Sequence, residues 1–303
     1  MDELNLENLS TLKKTKWNEK FNDIDLSAFE EIEQEFYKLF PVFSVNNQIF
    51  NADQLKDMLF YRVRPYSEIR DYSNVKEYSY PPPKFVSNQR ANIKNHPVFY
   101  CSAHPNTCLL EFIKNNRKTV YRDKYALSVW KLNTKSEYNV AKFLNEEFSE
   151  KEIKSLSLDY EKSFRKHISE NFDHKDRGVL IELSKYFSAS FLRKNNYAFS
   201  SFIAHKYLYK SNTDMIVFPS IVEKYSSLNF AFNRFFADEN LQLQRVYKIK
   251  IGGHSHKLDN MTLTFLDQAL SFKDNKLHSI HNIIDGVLLK TMLWLDFNDN
   301  IDY

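Results

Sequence analysis

The chain has 303 residues, 42 lysines and arginines against 39 aspartates and glutamates, and a formal charge of +3; with both signs interspersed and no basic tail, bulk electrostatics argue against nucleic-acid binding. Only 4 glycines are present, far below the usual share of about 7 per cent. Neither GxGxxG nor GxxxxGK followed by Ser or Thr occurs, so a glycine-lined phosphate cradle is excluded and any nucleotide must be held by side chains.

The length allows one large domain or a core with additions. Cys101 and Cys108 flank an expected turn and fit neither a disulfide framework nor zinc spacing. The opening Met1-Asp2-Glu3-Leu4 lacks a basic region leading into an apolar run, and no segment reaches the roughly 18 apolar residues of a membrane span. The expectation is a soluble, reduced, cytoplasmic protein with no metal, no membrane contact and no direct nucleic-acid partner.

Ser27 followed by Glu30 reads as a capping box, opening a helix in which Leu26, Phe29, Ile32, Phe36 and Leu39 recur at helical spacing up to Pro41. A face of this kind predicts packing against the core rather than partner binding. A second short helix is expected from Asn51 to about Phe60. Phe60-Tyr61-Arg62-Val63-Arg64 then reads as a strand, with Arg62 and Arg64 on one face because side chains alternate. A turn-rich Tyr80-Pro81-Pro82-Pro83 and a polar Asn88-Gln89-Arg90-Ala91-Asn92 follow. Pro97 to Ser102 reads as another strand, and Thr107-Cys108-Leu109-Leu110-Glu111 as a helix start.

Tyr125 to Leu132 is strand-like. Helical patterns, charged on one side, run from about 149 to 172 and from 179 to 194, and Tyr197 to Tyr209 is a further helix. Asp214 to Ser220 is an apolar run ending in a serine, Leu228-Asn229-Phe230 follows, and Arg245 to Ile251 alternates as a half-buried strand. Beyond Gly252-Gly253 the chain is expected to leave the family core. No internal repeat or low-complexity tract is present. The expected division is an N-terminal helical extension (1–48), a core with helical insertions (49–252) and a C-terminal extension of unknown role (253–303).

Each polar residue has a bland reading when taken alone. Arg62 is a surface ion-pair partner, Tyr100 is core, Glu111 is a first-turn carboxylate favoured by the helix dipole, and Pro219-Ser220 is a turn. Their order and spacing point elsewhere. The series Arg62, Tyr100, Glu111, Ser220, with the eleven-residue step from Tyr100 to Glu111, resembles the RES-domain family, bacterial toxins that consume NAD and are named for arginine, glutamate and serine. The resemblance spans roughly 57 to 250. Family members usually carry glycines near Gln89 to Asn95, where this chain has none; Arg90 and Asn92 still match the polar pattern.

The resemblance implies an α+β fold: a strongly bent mixed sheet of the ADP-ribosyltransferase type wrapped by helices. It also implies NAD as the substrate, bound by Arg62, Tyr100, Ser220, Arg90, Asn92 and Asn229, with Glu111 and Arg62 catalytic. Breaking the nicotinamide–ribose bond needs little acid catalysis, since the pyridinium is a cationic leaving group. What needs stabilising is the oxocarbenium-like ribose, the task of a fixed carboxylate such as Glu111. Arg62 suits the pyrophosphate through its planar fork, Tyr100 stacks or hydrogen-bonds, and Ser220 positions rather than attacks.

The implied function is a toxin-like NAD glycohydrolase or phosphorylase, paired with an antitoxin that carries a helix-turn-helix domain. The alternatives are a protein ADP-ribosyltransferase and a non-catalytic binding module. His254 and His256 read as an exposed loop more than a metal site; His96 and His104 flank the Tyr100 strand without a fixed direction; a Cys101 or Cys108 nucleophile paired with His104 is disfavoured.

Overall fold

Period-two alternation builds the sheet and covers both of its faces. Ile216 and Phe218 join one apolar cluster while Met215 and Val217 join the one opposite; Ala231 goes with the first pair, Phe230 and Phe232 with the second. Alternate side chains of a strand must leave by opposite faces, so both sides need a covering layer.

The structure, a computed structural model, describes residues 5–17, 24–41, 47–115, 124–144, 162–193, 197–221, 227–252, 262–269, 271–273 and 276–278. In chain order the principal elements are α1 (Leu6–Lys14), α2 (Leu26–Leu39), β1 (Gln48–Phe50), β2 (Leu59–Pro65), β3 (Phe99–Ser102) and α3 (Pro105–Asn115). There follow β4 (Lys124–Leu132), β5 (Tyr138–Lys142), a helix α4 over 162–171, α5 (His174–Ser190), α6 (Ala198–Lys210), β6 (Met215–Pro219) and β7 (Leu228–Phe232). The described residues end with α7 (Arg234–Asn240), β8 (Leu241–Gly252), β9 (Thr262–Ala269) and a small hairpin, β10 (Ser271–Lys273) with β11 (Lys276–His278).

Nine strands form one mixed sheet in the order β1-β5-β6-β7-β3-β2-β4-β8-β9. Every pairing is antiparallel except β5 with β6. The fold is α+β. The junction of β3 with β2 is the narrow point, a single register pair, Tyr61↔Ser102, against seven between β2 and β4. Past that pair the two halves of the sheet part company.

Helices α1, α2, α5 and α6 cover one face through a phenylalanine-rich cluster that includes Phe29, Phe36, Phe187, Phe199 and Phe202. Phe60, Phe99, Trp130, Phe230 and Phe232 form the cluster on the opposite face, and α3 lays Leu109 on Tyr61, Leu127 and Tyr247. The amphipathic N-terminal helix α2 is thus core: Phe29 meets the ring of Phe202 at 5.3 Å. Among the described residues no helix is long and apolar enough to cross a membrane.

Two local expectations change. Asp25, not Ser27, caps α2, its side chain accepting from Ala28 N at 3.0 Å; a carboxylate there also meets the positive helix end. The stretch from 51 to 57 is turns, not helix. Asn51 Oδ1 accepts from the backbone N–H groups of Asp53 and Gln54 at 3.0 and 3.1 Å, local bonds that compete with helix formation, and Leu55 adopts φ 65°, which a right-handed helix cannot contain. The sheet itself runs on past Gly252, with β9 pairing with β8 from Gly252↔Thr262 to Val246↔Ala269. The part of the 149–172 helical pattern before residue 162 lies outside the described residues.

His205 on α6 is 2% exposed, lying flat on Tyr209 and edge-on to Phe29 and His96. Its Nδ1 has no hydrogen-bond partner among the described residues. Burial, then His96, Lys210 and Lys206, hold its pKa down at about 3. The folded state therefore refuses a proton that the unfolded chain accepts below about pH 6.5, so this group lowers stability progressively from about pH 6.5 to 3, by at most about 1.4 kcal/mol per pH unit. Urea midpoints at pH 7, 6, 5 and 4 should fall less steeply with acid in His205→Phe than in the parent. Equal slopes would contradict the account.

Candidate functional site

Where β2 and β3 diverge, backbone groups lose their ladder partners and a side chain takes over. Arg62 donates from Nη1 to the Tyr100 carbonyl at 2.8 Å and from Nε to the Ser79 carbonyl at 3.2 Å, tying both half-sheets to the proline-rich loop. Burial lowers its pKa, although a guanidinium stays charged throughout the accessible range. A cavity of about 930 Å³ opens at this divergence, at the upper end of the size range of ligand pockets. Four arginines, 62, 64, 70 and 90, and three glutamates, 68, 77 and 111, line it. That balance suits an anion. Arg64 is neutralised locally, pairing with Glu68 at 3.5 Å and Glu77 at 3.9 Å.

Helix α3 carries Glu111 to the wall. The Asn106 N–H donates to His104 Nδ1 at 3.2 Å just ahead of the first turn, and Leu109 anchors the helix in the core. Glu111 Oε1 accepts two hydrogen bonds, from Ser220 Oγ at 2.8 Å and from Asn229 Nδ2 at 3.1 Å. Asn229 Oδ1 in turn accepts from Ser102 Oγ at 2.6 Å. Ser220 and Asn229 are 0% exposed and Ser102 is 1% exposed, and buried polar groups of this kind must find partners. Cross-strand register puts them together: Ser102 faces Asn229, and Asn229 faces Phe218, two residues before Ser220. Oε2 of Glu111 has no hydrogen-bond partner among the described residues.

Tyr100 lines the cavity beside this carboxylate. Burial first, and Glu111 second, push its phenol pKa well above the usual value, so it is a neutral donor. Arg90 is 5% exposed; Nη2 reaches the Arg193 carbonyl at 3.5 Å and the guanidinium lies 5.3 Å from the Tyr197 ring centre. Its Nε and Nη1 are buried with no hydrogen-bond partner among the described residues. An unpaired buried donor is expensive.

Of the residues expected from sequence, Arg62, Tyr100, Glu111 and Arg90 share the cavity wall. Ser220 and Asn229 stand behind the wall and grip Glu111 instead of facing the cavity. Asn92 is buried away from it. Its Nδ2 donates to the Ser87 and Ile93 carbonyls at 2.8 and 3.2 Å, closing a loop in which Gln89 and Asn92 pair backbone to backbone. Within this glycine-free loop Asn95 adopts φ 64°, since asparagine tolerates the left-handed region better than most residues.

Ser102 and Asn88 were missed. The signal for Ser102 was its place at the end of the Tyr100 strand; Asn88 carried none beyond polarity. His96 packs on His205 and Tyr209 at 4.7 and 5.4 Å, His104 serves α3, and His254 and His256 lie outside the described residues. Burial raises the Cys108 thiol to about 12 and Cys101 well above its usual value, so neither is a thiolate.

Comparison with curated proteins returns no match. A family model described as the RES domain matches residues 59–251, more than half of the chain, and the RES domain is known for NAD-related toxin activity. The matched span opens on the strand of Arg62, takes in the Glu111 carboxylate with Ser220 and Asn229, and ends on β8; on that match, the chain belongs to the RES domain family.

Proposed function

We propose that this protein binds NAD in the arginine-lined cavity and cleaves its nicotinamide–ribose bond, acting as a toxin-like NAD glycohydrolase or phosphorylase. The observation that carries this reading is the Glu111 carboxylate: one oxygen is fixed by two donors of Ser220 and Asn229, and the other has no partner among the described residues, on the wall of a cavity large enough for a dinucleotide. Family membership supports NAD as the substrate class.

In the cleavage, the electron pair of the C1′–N bond leaves with nicotinamide, which departs neutral, and positive charge develops on the ribose. A carboxylate already locked in place stabilises that charge without reorganising as the bond breaks. Oxygen of water or of inorganic phosphate then bonds to C1′, with water's surplus proton passing to solvent. Tyr100, held neutral, donates to a ribose hydroxyl. The pyrophosphate falls to Arg90, whose buried Nε and Nη1 have no hydrogen-bond partner among the described residues, more than to Arg62, which is largely engaged with backbone carbonyls and holds the two half-sheets around the site. This shifts the sequence-based assignment of Arg62 from ligand contact toward positioning. The family is associated with antitoxin partners; a helix-turn-helix antitoxin that covers the cleft would restrain the activity.

Incubating the purified protein with NAD, with and without phosphate, and separating products by chromatography tests the reading. Free nicotinamide should appear together with ADP-ribose or its 1″-phosphate. Intact NAD after prolonged incubation would refute the function, and label transferred to a protein band would favour the transferase alternative. Glu111→Gln should cleave about 100-fold more slowly or worse while binding NAD within a few-fold of the parent, and a parental rate would remove the carboxylate from the mechanism. Arg90→Leu should raise KM about 10-fold or more with a smaller change in kcat, because a charge-assisted bond contributes about 1.5–3 kcal/mol. An unchanged KM would move the pyrophosphate elsewhere.

A further inference from the structure

The cavity wall holds a second unmet polar group besides Arg90, and it is an acceptor. Asn88 lines the cavity, its Oδ1 is buried, and that oxygen has no hydrogen-bond partner among the described residues. No bond from its Nδ2 is formed among the described residues either, so the whole amide is uncommitted. The loop around it is rigid by contrast. Gln89 and Asn92 exchange backbone hydrogen bonds at 3.0 and 3.3 Å, Asn95 N donates to the Val86 carbonyl at 3.1 Å, and Asn92 Nδ2 ties the Ser87 carbonyl. Asn88 is thus a primary amide left unpaired on a well-braced loop, two residues from Arg90, whose guanidinium has two buried N–H groups without a partner among the described residues.

We propose that Asn88 is a specificity-determining residue that reads an exocyclic amino group of the substrate. An amide offers an acceptor and a donor side by side, and rotation about its soft χ2 presents both to the cavity. Its complement is an –NH2 next to an acceptor. Two groups of a nicotinamide dinucleotide have that pattern: the carboxamide, with its C=O, and the adenine 6-amino group, with a neighbouring ring nitrogen, the edge that asparagine pairs with bidentately in other settings. The shared chemistry is assigned here, and the assignment rests on the NAD reading above. A substrate lacking the amino group leaves Oδ1 unpaired or sets it against another acceptor, which is how a site built to hydrogen-bond one group rejects its analogue.

The test compares NAD with nicotinic acid adenine dinucleotide, which replaces the carboxamide by a carboxylate, and with nicotinamide hypoxanthine dinucleotide, which replaces the 6-amino group by an oxo group. kcat/KM is measured for each with the parent, Asn88→Ala and Asn88→Asp. Comparing the analogue-to-NAD ratio between proteins cancels the analogues' intrinsic reactivity. The parent should disfavour one analogue by about 10-fold to 100-fold, and the identity of that analogue tells which ring Asn88 reads. Asn88→Ala should shrink the ratio to within about threefold, and Asn88→Asp, which keeps the acceptor, should preserve it. A ratio that survives in Asn88→Ala overturns the assignment, as does a parent that treats all three dinucleotides alike or prefers an analogue. Equilibrium binding of the same three ligands separates this from failure of the functional reading. If the parent cleaves none but binds NAD with the Asn88-dependent preference, the assignment stands and the activity falls; if it binds none, both fall.

Discussion

Two hydrogen bonds onto one oxygen of Glu111 impose most of what is distinctive in this structure. For Ser220 and Asn229 to reach the same carboxylate, β6 must end beside β7, β7 must pair with β3 in a register that sets Ser102 opposite Asn229, and α3 must leave β3 at an angle that returns Glu111 over the strand ends. Each of the three supporting side chains is fully buried, so each needs the others: removing one leaves a polar group without water or a partner, at a cost of about 1–3 kcal/mol. A buried chain of this kind orients its terminal charge rigidly. That rigidity suits stabilising a transient cation better than it suits an attacking nucleophile.

The second constraint is the near-severed sheet. One ladder position joins β3 to β2, and the gap beyond it is the cavity. Arg62 bridges the gap through the Tyr100 and Ser79 carbonyls, so an arginine performs a task that backbone usually performs. A chain with 4 glycines has little backbone able to approach a phosphate closely, and the cavity wall presents side chains instead: arginines, a neutral tyrosine and an amide. The arginines differ in their partners. Arg62 and Arg64 are tied to carbonyls and carboxylates, while Arg90 keeps two buried N–H groups without a partner among the described residues.

Much of this was legible in the sequence because period-two and helical patterns are strong where the core is thick. The strands around Arg62, Tyr100, Ser220 and Ile249, and the helix of Phe29 and Phe36, follow from apolar spacing alone. The order of Arg62, Tyr100, Glu111 and Ser220 carried the family. What was not legible depends on long-range register or on local side-chain competition. Whether Ser220 faces a ligand or a carboxylate is decided by how β6 meets α3, which no spacing encodes. Asn51 captures two backbone N–H groups and turns an expected helix into a string of turns. Asn92 looked like a ligand contact and proved to be a loop brace, whereas Asn88, equally polar, lines the cavity.

The central claim is that Ser220 acts on catalysis only through Glu111, and a kinetic double-mutant cycle tests it directly. NAD-cleavage kcat is measured for the parent, Ser220→Ala, Glu111→Ala and the double variant. The account predicts that Ser220→Ala lowers kcat by about 10-fold in the parent and by less than about twofold once Glu111 is gone, the non-additivity expected of residues that work as a unit. An equal drop in both backgrounds would contradict it.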